Sequence, residues 1–243
     1  MTILIAENNL AGLLTAVYEY YYHHKEAKVI TSDPDKVTML DNKIIINTCP
    51  DKANKVRQGI IKKINNSGYK EVCDAYRNCD KEKEQKIFEF LKLAFEKGKQ
   101  AFDMYHNPVV IAFNDLLKKV RHEQHRMYGF IRFKELKNGV FYACFSSDHD
   151  ILELIIGHFK SRFNIQPFIL HDIKRKKLAF YDGKKIHFLL AHNSINIELG
   201  QNEALFSELW KEYNQNVSID NRQNTKLQNQ FVPKKYRWFM NEF

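Results

Sequence analysis

The sequence is short of the residues that cut chains into linkers, with five prolines and nine scattered glycines among 243 positions. No Gly-, Ser- or Pro-rich stretch divides it, so two subdomains packed closely as one unit are expected. The scatter of glycines also leaves no phosphate loop, no dinucleotide fingerprint and no G-x-S-x-G elbow. Cysteine is equally sparse. Cys49, Cys73, Cys79 and Cys144 form no C-x-x-C pair, which argues against a zinc ribbon or an iron–sulfur cluster held by this chain alone. No apolar run reaches the roughly eighteen residues of a membrane span. The opening "MTILIAENNLAGLL" has neither a basic region nor a small-residue cleavage pattern, so no secretory signal is expected. Cytoplasmic localisation and reduced thiols are the corresponding expectations.

What is present is a core and a surplus of positive charge. Hydrophobic residues make up 44% and aromatics 13%, enough for a folded protein. Thirty-eight Lys and Arg outnumber 29 Asp and Glu, for a formal charge of +9. Between Lys160 and Lys185 the chain holds eight basic residues and two Asp. Such a stretch is either a solvated face or a phosphate-contacting one.

Periodicity predicts an α+β fold. "TILIA" reads as a strand, and apolar residues from Leu10 to Tyr21 at three- and four-residue steps read as a helix that Asn8 or Asn9 can cap. "AKVIT" and "KIIIN" are strand-like. Residues 51 to 128 read as helical, with breaks near Asn66–Gly68, Asn78–Asp80 and Asn107–Pro108. After Met127 the period becomes two: "GFIRFKEL", the turn "KNG" and "VFYACFSS" predict a hairpin. A helix over Asp148–Phe163 is expected, opened by the S-x-x-D pattern of Ser147 and Asp150. Strands "PFILHD", "KLAFYD" and "KIHFLLA", a "DGK" turn and the helix "NEALFSELWKEYNQ" complete the chain. The expected organisation is a mainly helical subdomain, 1–127, and an antiparallel-sheet subdomain, 128–243, of ββαβββ order with a closing helix and tail.

Candidate chemistry centres on "RHEQHRMYGFIRF" at 121–133. His122 and His125 stand three apart, whereas the zinc-hydrolase helix needs four, and two histidines do not make a site; no metal ligands are assigned. Glu123 falls at the edge of the apolar stripe and needs a cation or backbone donors, for which Arg126 and Arg132 are the candidates. The carboxylates of "SSDHD" suit helix capping. In "LHDIKRKK", His171 and Asp172 point to opposite faces of a strand, and Lys174, Arg175, Lys176 and Lys177 suit either a phosphate backbone or an exposed hairpin. Lys234, Lys235 and Arg237 alternate with Tyr236, Trp238 and Phe239, a pattern for clamping a strand by charge and stacking or for packing a C-terminus.

The blocks "EQHRMYGFIRFKEL", "DHDILELIIGHFKSRF", "FILHDIKRKKLAFYDGK" and "LWKEYNQNVSIDNRQNTKLQNQFVPKKY", in this order, resemble a bacterial family described as probable DNA metabolism proteins, domain of unknown function 4130. "NNLAGLLTAVYEYY" is similar to that family's opening helix. Matching positions are Glu123, His125, Arg126, Met127, Phe130, Arg132, His149, His158, Arg162, His171, Asp172, Arg175, Arg222, Asn224, Pro233 and Tyr236. The chain departs from the pattern at "KYRWF", where a Trp directly after the Tyr is expected. The resemblance implies work alongside a radical-SAM protein in DNA modification or repair, and in some relatives fusion to a uracil-DNA-glycosylase-like domain. The iron–sulfur cluster and S-adenosylmethionine are then expected in the partner, with no cofactor on this chain.

Three functions follow as expectations. The first is a DNA-binding accessory protein using Arg126, Arg132, Arg162, Lys174, Arg175, Lys176, Lys177, Lys234, Lys235 and Tyr236. The second is an enzyme acting on a base or nucleotide, with Glu123, His125, His149, His171 and Asp172 as acid–base groups. The third is a protein scaffold whose basic face grips an acidic partner.

Overall fold

The computed structural model describes residues 1–36, 38–191, 198–217 and 224–240. The fold is α+β, and the chain divides into two compact units, Met1–Arg121 and His122–Phe243.

In the first unit, β1 (Thr2–Ala6) is the central strand of a three-stranded sheet, flanked by β2 (Val29–Thr31) and β3 (Asn42–Ile46), both parallel to it. Parallel neighbours need a crossover, and α1 (Leu10–Tyr22) is the one that leads into β2. Asn9 caps that helix as expected, its side chain accepting the Gly12 amide at 2.7 Å. Then come α2 (Pro50–Lys63), α3 (Asn66–Tyr76), α4 (Lys83–Lys97) and α5 (Pro108–Phe130). Pro108 opens α5, where its missing N–H costs nothing. A break that periodicity overlooks falls at Gly98, whose φ of 65° ends α4. Leu4, Leu13, Ile60, Phe88, Phe90 and Phe113 are core residues of this unit, the last two stacked 3.8 Å apart.

The second unit carries a five-stranded sheet in the order β4-β5-β6-β7-β8: Lys134–Glu135, Phe141–Phe145, Phe168–Asp172, Lys177–Tyr181 and Ile186–Leu190. Helix α6 (Leu152–Phe163) lies between β5 and β6 in sequence and packs on the sheet. Ile155, Ile156 and Phe159 on α6 and Phe145, Phe168, Leu170 and Ala179 on the strands are all buried. Gly183, at φ 91°, makes the turn between β7 and β8. Helices α7 (Glu203–Val217), α8 (Thr225–Phe231) and α9 (Lys234–Arg237) follow.

Three expectations need correction. The sheet is not wholly antiparallel: β5 and β6 run parallel, because α6 returns the chain to the same end of the sheet before β6 begins. The first hairpin is shorter than its alternation predicts. Helix α5 continues through Phe130, and the Ile131 amide still reaches Met127 O at 3.3 Å, so β4 keeps only two residues. Helix α6 begins at Leu152 and not at Asp148, for a reason that lies in the site.

Candidate functional site

The loop between β5 and α6, residues 146–151, is the hub of the second unit. Its Asp148 and His149 amides are not spent on helix capping. Both donate to Glu123 on α5, to Oε1 and Oε2 respectively, at 2.8 Å. Tyr236 on α9 adds its hydroxyl to Oε1 at 2.7 Å. Glu123 is 4% exposed, and three donors replace the water it has lost. The expected arginine partners are therefore a correction. Arg132 turns its guanidinium to Gly129 O at 2.6 Å and to Ile131 O, and among the described residues no cation pairs with Glu123. Ser147 does not cap α6 either; its hydroxyl donates to His149 O at 2.7 Å.

A second buried carboxylate supports the same loop. Asp172, at the end of β6, is fully buried and accepts from Arg175 Nη1 at 3.0 Å and from the Arg175 amide at 3.2 Å. The same guanidinium donates to Ser147 O at 3.1 Å and to Asp148 O at 2.5 Å. Arg175 thus ties the turn after β6 to the loop after β5, at the carboxyl ends of the two parallel strands.

Around this buried centre lies a cationic rim. Asp148 Oδ2 accepts from Lys235, and Lys174 stands 3.9 Å from Oδ1. Lys177 reaches Asp150 at 2.5 Å. The hydrogen bond from Lys235 holds the Asp148 carboxyl below its ordinary range. Burial holds His149 below the ordinary imidazole value, against the upward pull of Glu123 and Asp148. Burial first, and then the bond to Glu123, push Tyr236 up to about 12.

The structure therefore brings Glu123, His149, Asp172, Lys174, Arg175, Lys177, Lys235 and Tyr236 together, with Lys176 and Lys234 adjacent in sequence and exposed. It separates others. His125 is exposed on α5, its ring 6.3 Å from Tyr128. His171 turns to the opposite face of β6, where Nδ1 meets the Tyr142 hydroxyl at 2.8 Å, and burial lowers its pKa. Arg162 is exposed near the end of α6, and Arg126 is half-buried on α5. The site residue that local reading misses is Ser147, taken for a helix cap; a buried polar loop facing a buried carboxylate leaves no trace in local periodicity. Trp238, 88% exposed, follows α9 directly.

The arrangement is suited to holding a loop rigid beneath a charged surface. Two amide N–H groups ahead of a helix are a ready anion site, but the Glu123 carboxylate already fills it from within. Glu123 and Asp172 are both engaged by donors, which leaves His149, buried and biased toward the neutral form, as the acid–base group of the cluster. Among the described residues no group of three or more His, Cys, Asp or Glu could hold a metal ion.

The family model for a domain of unknown function, DUF4130, matches residues 81–242. The chain belongs to this family. The match takes in every residue of the hub and rim, and it begins after the segment "NNLAGLLTAVYEYY". Of the DUF4130 pattern positions, Asn224 caps α8 by accepting the Leu227 amide at 2.9 Å, while Arg222 lies outside the described residues. No curated protein matches the chain.

Proposed function

We propose that the chain is a cytoplasmic accessory protein of DNA metabolism, acting in modification or repair, which binds nucleic acid on the rim above the Glu123 hub. The observation that carries this reading is the meeting of two basic segments at Asp148: Lys174 from the turn after β6 and Lys235 from α9. Lys174, Arg175, Lys176, Lys177, Lys234 and Lys235 stand here against Asp148, Asp150 and Asp172, a local excess of cations suited to a phosphate backbone. Exposed Trp238 supplies a ring for stacking on an unpaired base.

The resemblance to DNA metabolism proteins extends the reading to a radical-SAM partner, which would hold the iron–sulfur cluster and S-adenosylmethionine. In this division of labour the chain supplies the grip on DNA and the partner the chemistry. Among the described residues no helix is long and apolar enough to cross a membrane.

The test is DNA binding by the purified chain across a salt series, with and without the radical-SAM protein. Log K is expected to fall linearly with log salt. Binding indifferent to salt, or none under either condition, overturns the reading. The enzyme reading retains His149 as its acid–base group, and base release or nucleotide hydrolysis abolished by His149→Ala would favour it.

A further inference from the structure

Strand β8 forms one edge of the five-stranded sheet. The bonds Asp182 N–H to Lys185 O and Ala191 N–H to Lys176 O show that odd-numbered residues turn their main-chain groups toward β7. Ile186, Phe188 and Leu190 therefore aim N–H and C=O outward. Among the described residues no strand pairs with them.

The side chains make this edge unusual. Phe188, Leu189 and Leu190 are 52%, 56% and 60% exposed, so the strand is apolar on both faces. Protective features of natural edges are proline, a bulge, or a charge pointing inward. The stretch Ile186–Leu190 has no proline, lysine or carboxylate, and its register with β7 is unbroken. A notch of about 170 Å³ lies against its apolar centre, walled by Asp150, Leu152, Glu153, Lys177, Phe188 and Leu190. An outward main-chain ladder beside a side-chain notch is what strand addition requires.

Charge selects the occupant. Lys184 and Lys185 are exposed ahead of β8, and Lys174 and Lys176 are exposed in the turn beside its far end. Antiparallel pairing with a second copy would set Lys184 and Lys185 of each chain against the Lys176 end of the other, like charge on like at both ends. A strand with an apolar centre and acidic flanks meets cations at both ends instead. We infer that β8 is a docking edge for an extended, acidic-flanked segment of a partner protein, taken up as a sixth strand.

The test uses the full chain and a short synthetic peptide of Val, Ile and Thr with glutamates at both ends, beside a lysine-flanked control. Amide exchange at Ile186, Phe188 and Leu190 should slow on adding the first peptide, while Leu189, already turned to β7, is unchanged. The control should bind about tenfold more weakly or worse. Phe188→Pro removes an outward donor without touching the β7 ladder and should abolish binding. The pair Lys184→Glu and Lys185→Glu, both exposed and harmless to the core, should erase most of the acidic peptide's advantage while Lys174 and Lys176 remain at the far end, so a folding failure of the proline variant leaves the inference testable. Equal binding of the two peptides, or binding of neither, overturns it. Slow exchange at the three residues in the free, dilute chain, or slowing with chain concentration alone, also overturns it, since the edge would then be covered by the chain itself or by a second copy.

Discussion

The Tyr236 hydroxyl donates to Glu123 Oε1 across 2.7 Å, joining residues 113 apart in sequence. This bond fixes α9 to the same carboxylate that organises the loop ahead of α6, so Glu123 serves two segments at once. Tyr236→Phe removes one donor and is expected to cost about 1–2 kcal/mol. Glu123→Gln turns one acceptor into a donor facing buried donors, and should cost more, about 2–4 kcal/mol. Urea unfolding of both single variants and the double should show coupling, with the double costing less than the sum.

Arg175 has a sharper requirement. It meets Asp172 and two loop carbonyls through one planar fork, which a lysine ammonium cannot reproduce. Arg175→Ala leaves a buried carboxylate without its cation, at an expected cost of about 3–5 kcal/mol. Arg175→Lys should recover less than half of that loss. Full recovery by lysine would mean that charge alone, and not the fork, supports the loop.

The sheet strands and helix stripes were legible because each is written in local periodicity, and the Asn9 cap and the Gly183 turn because each needs a particular residue. The parallel β5–β6 pair was also there to be read, since a strand, a helix and a strand in one sheet imply a crossover. The beginning of α6 was not. Ser147 and Asp150 carry a capping pattern, but Glu123, 25 and 26 residues earlier, holds the Asp148 and His149 amides between them, and the Ser147 hydroxyl is spent on His149 O. The need of Glu123 for partners was evident from its place on the helix stripe. Their identity was not, because two of the three are main-chain groups, which every residue owns, and the third comes from the far end of the chain.

Acid should loosen the second unit. Burial depresses His149 and His171 below the ordinary imidazole value of 6.5, so the unfolded chain binds protons more readily than the folded one. Their contribution to stability is present above that value and is lost as pH falls through the depressed folded values. Denaturant midpoints should therefore decline below about pH 6.5. His149→Gln should flatten part of the decline and the further change His171→Gln more of it. An unchanged slope in the double variant would assign the acid sensitivity to other groups.

The rim can be resolved residue by residue through the salt dependence of DNA binding. Each of Lys174→Ala, Lys176→Ala and Lys234→Ala should lower the slope of log K against log salt by about 1 if that lysine meets a phosphate. Lys235→Ala differs in kind. Lys235 shields Asp148, so its removal deletes a cation and uncovers a carboxylate. It should therefore weaken binding more than Lys234→Ala, and neutralising Asp148 in the same chain should return part of the loss. Trp238→Ala should leave the slope intact and cost single-strand binding about 1–3 kcal/mol, with little effect on duplex DNA. Were all four lysine variants to keep the parent slope, the phosphates would lie elsewhere, and the meeting of the two basic segments at Asp148 would be a matter of stability alone.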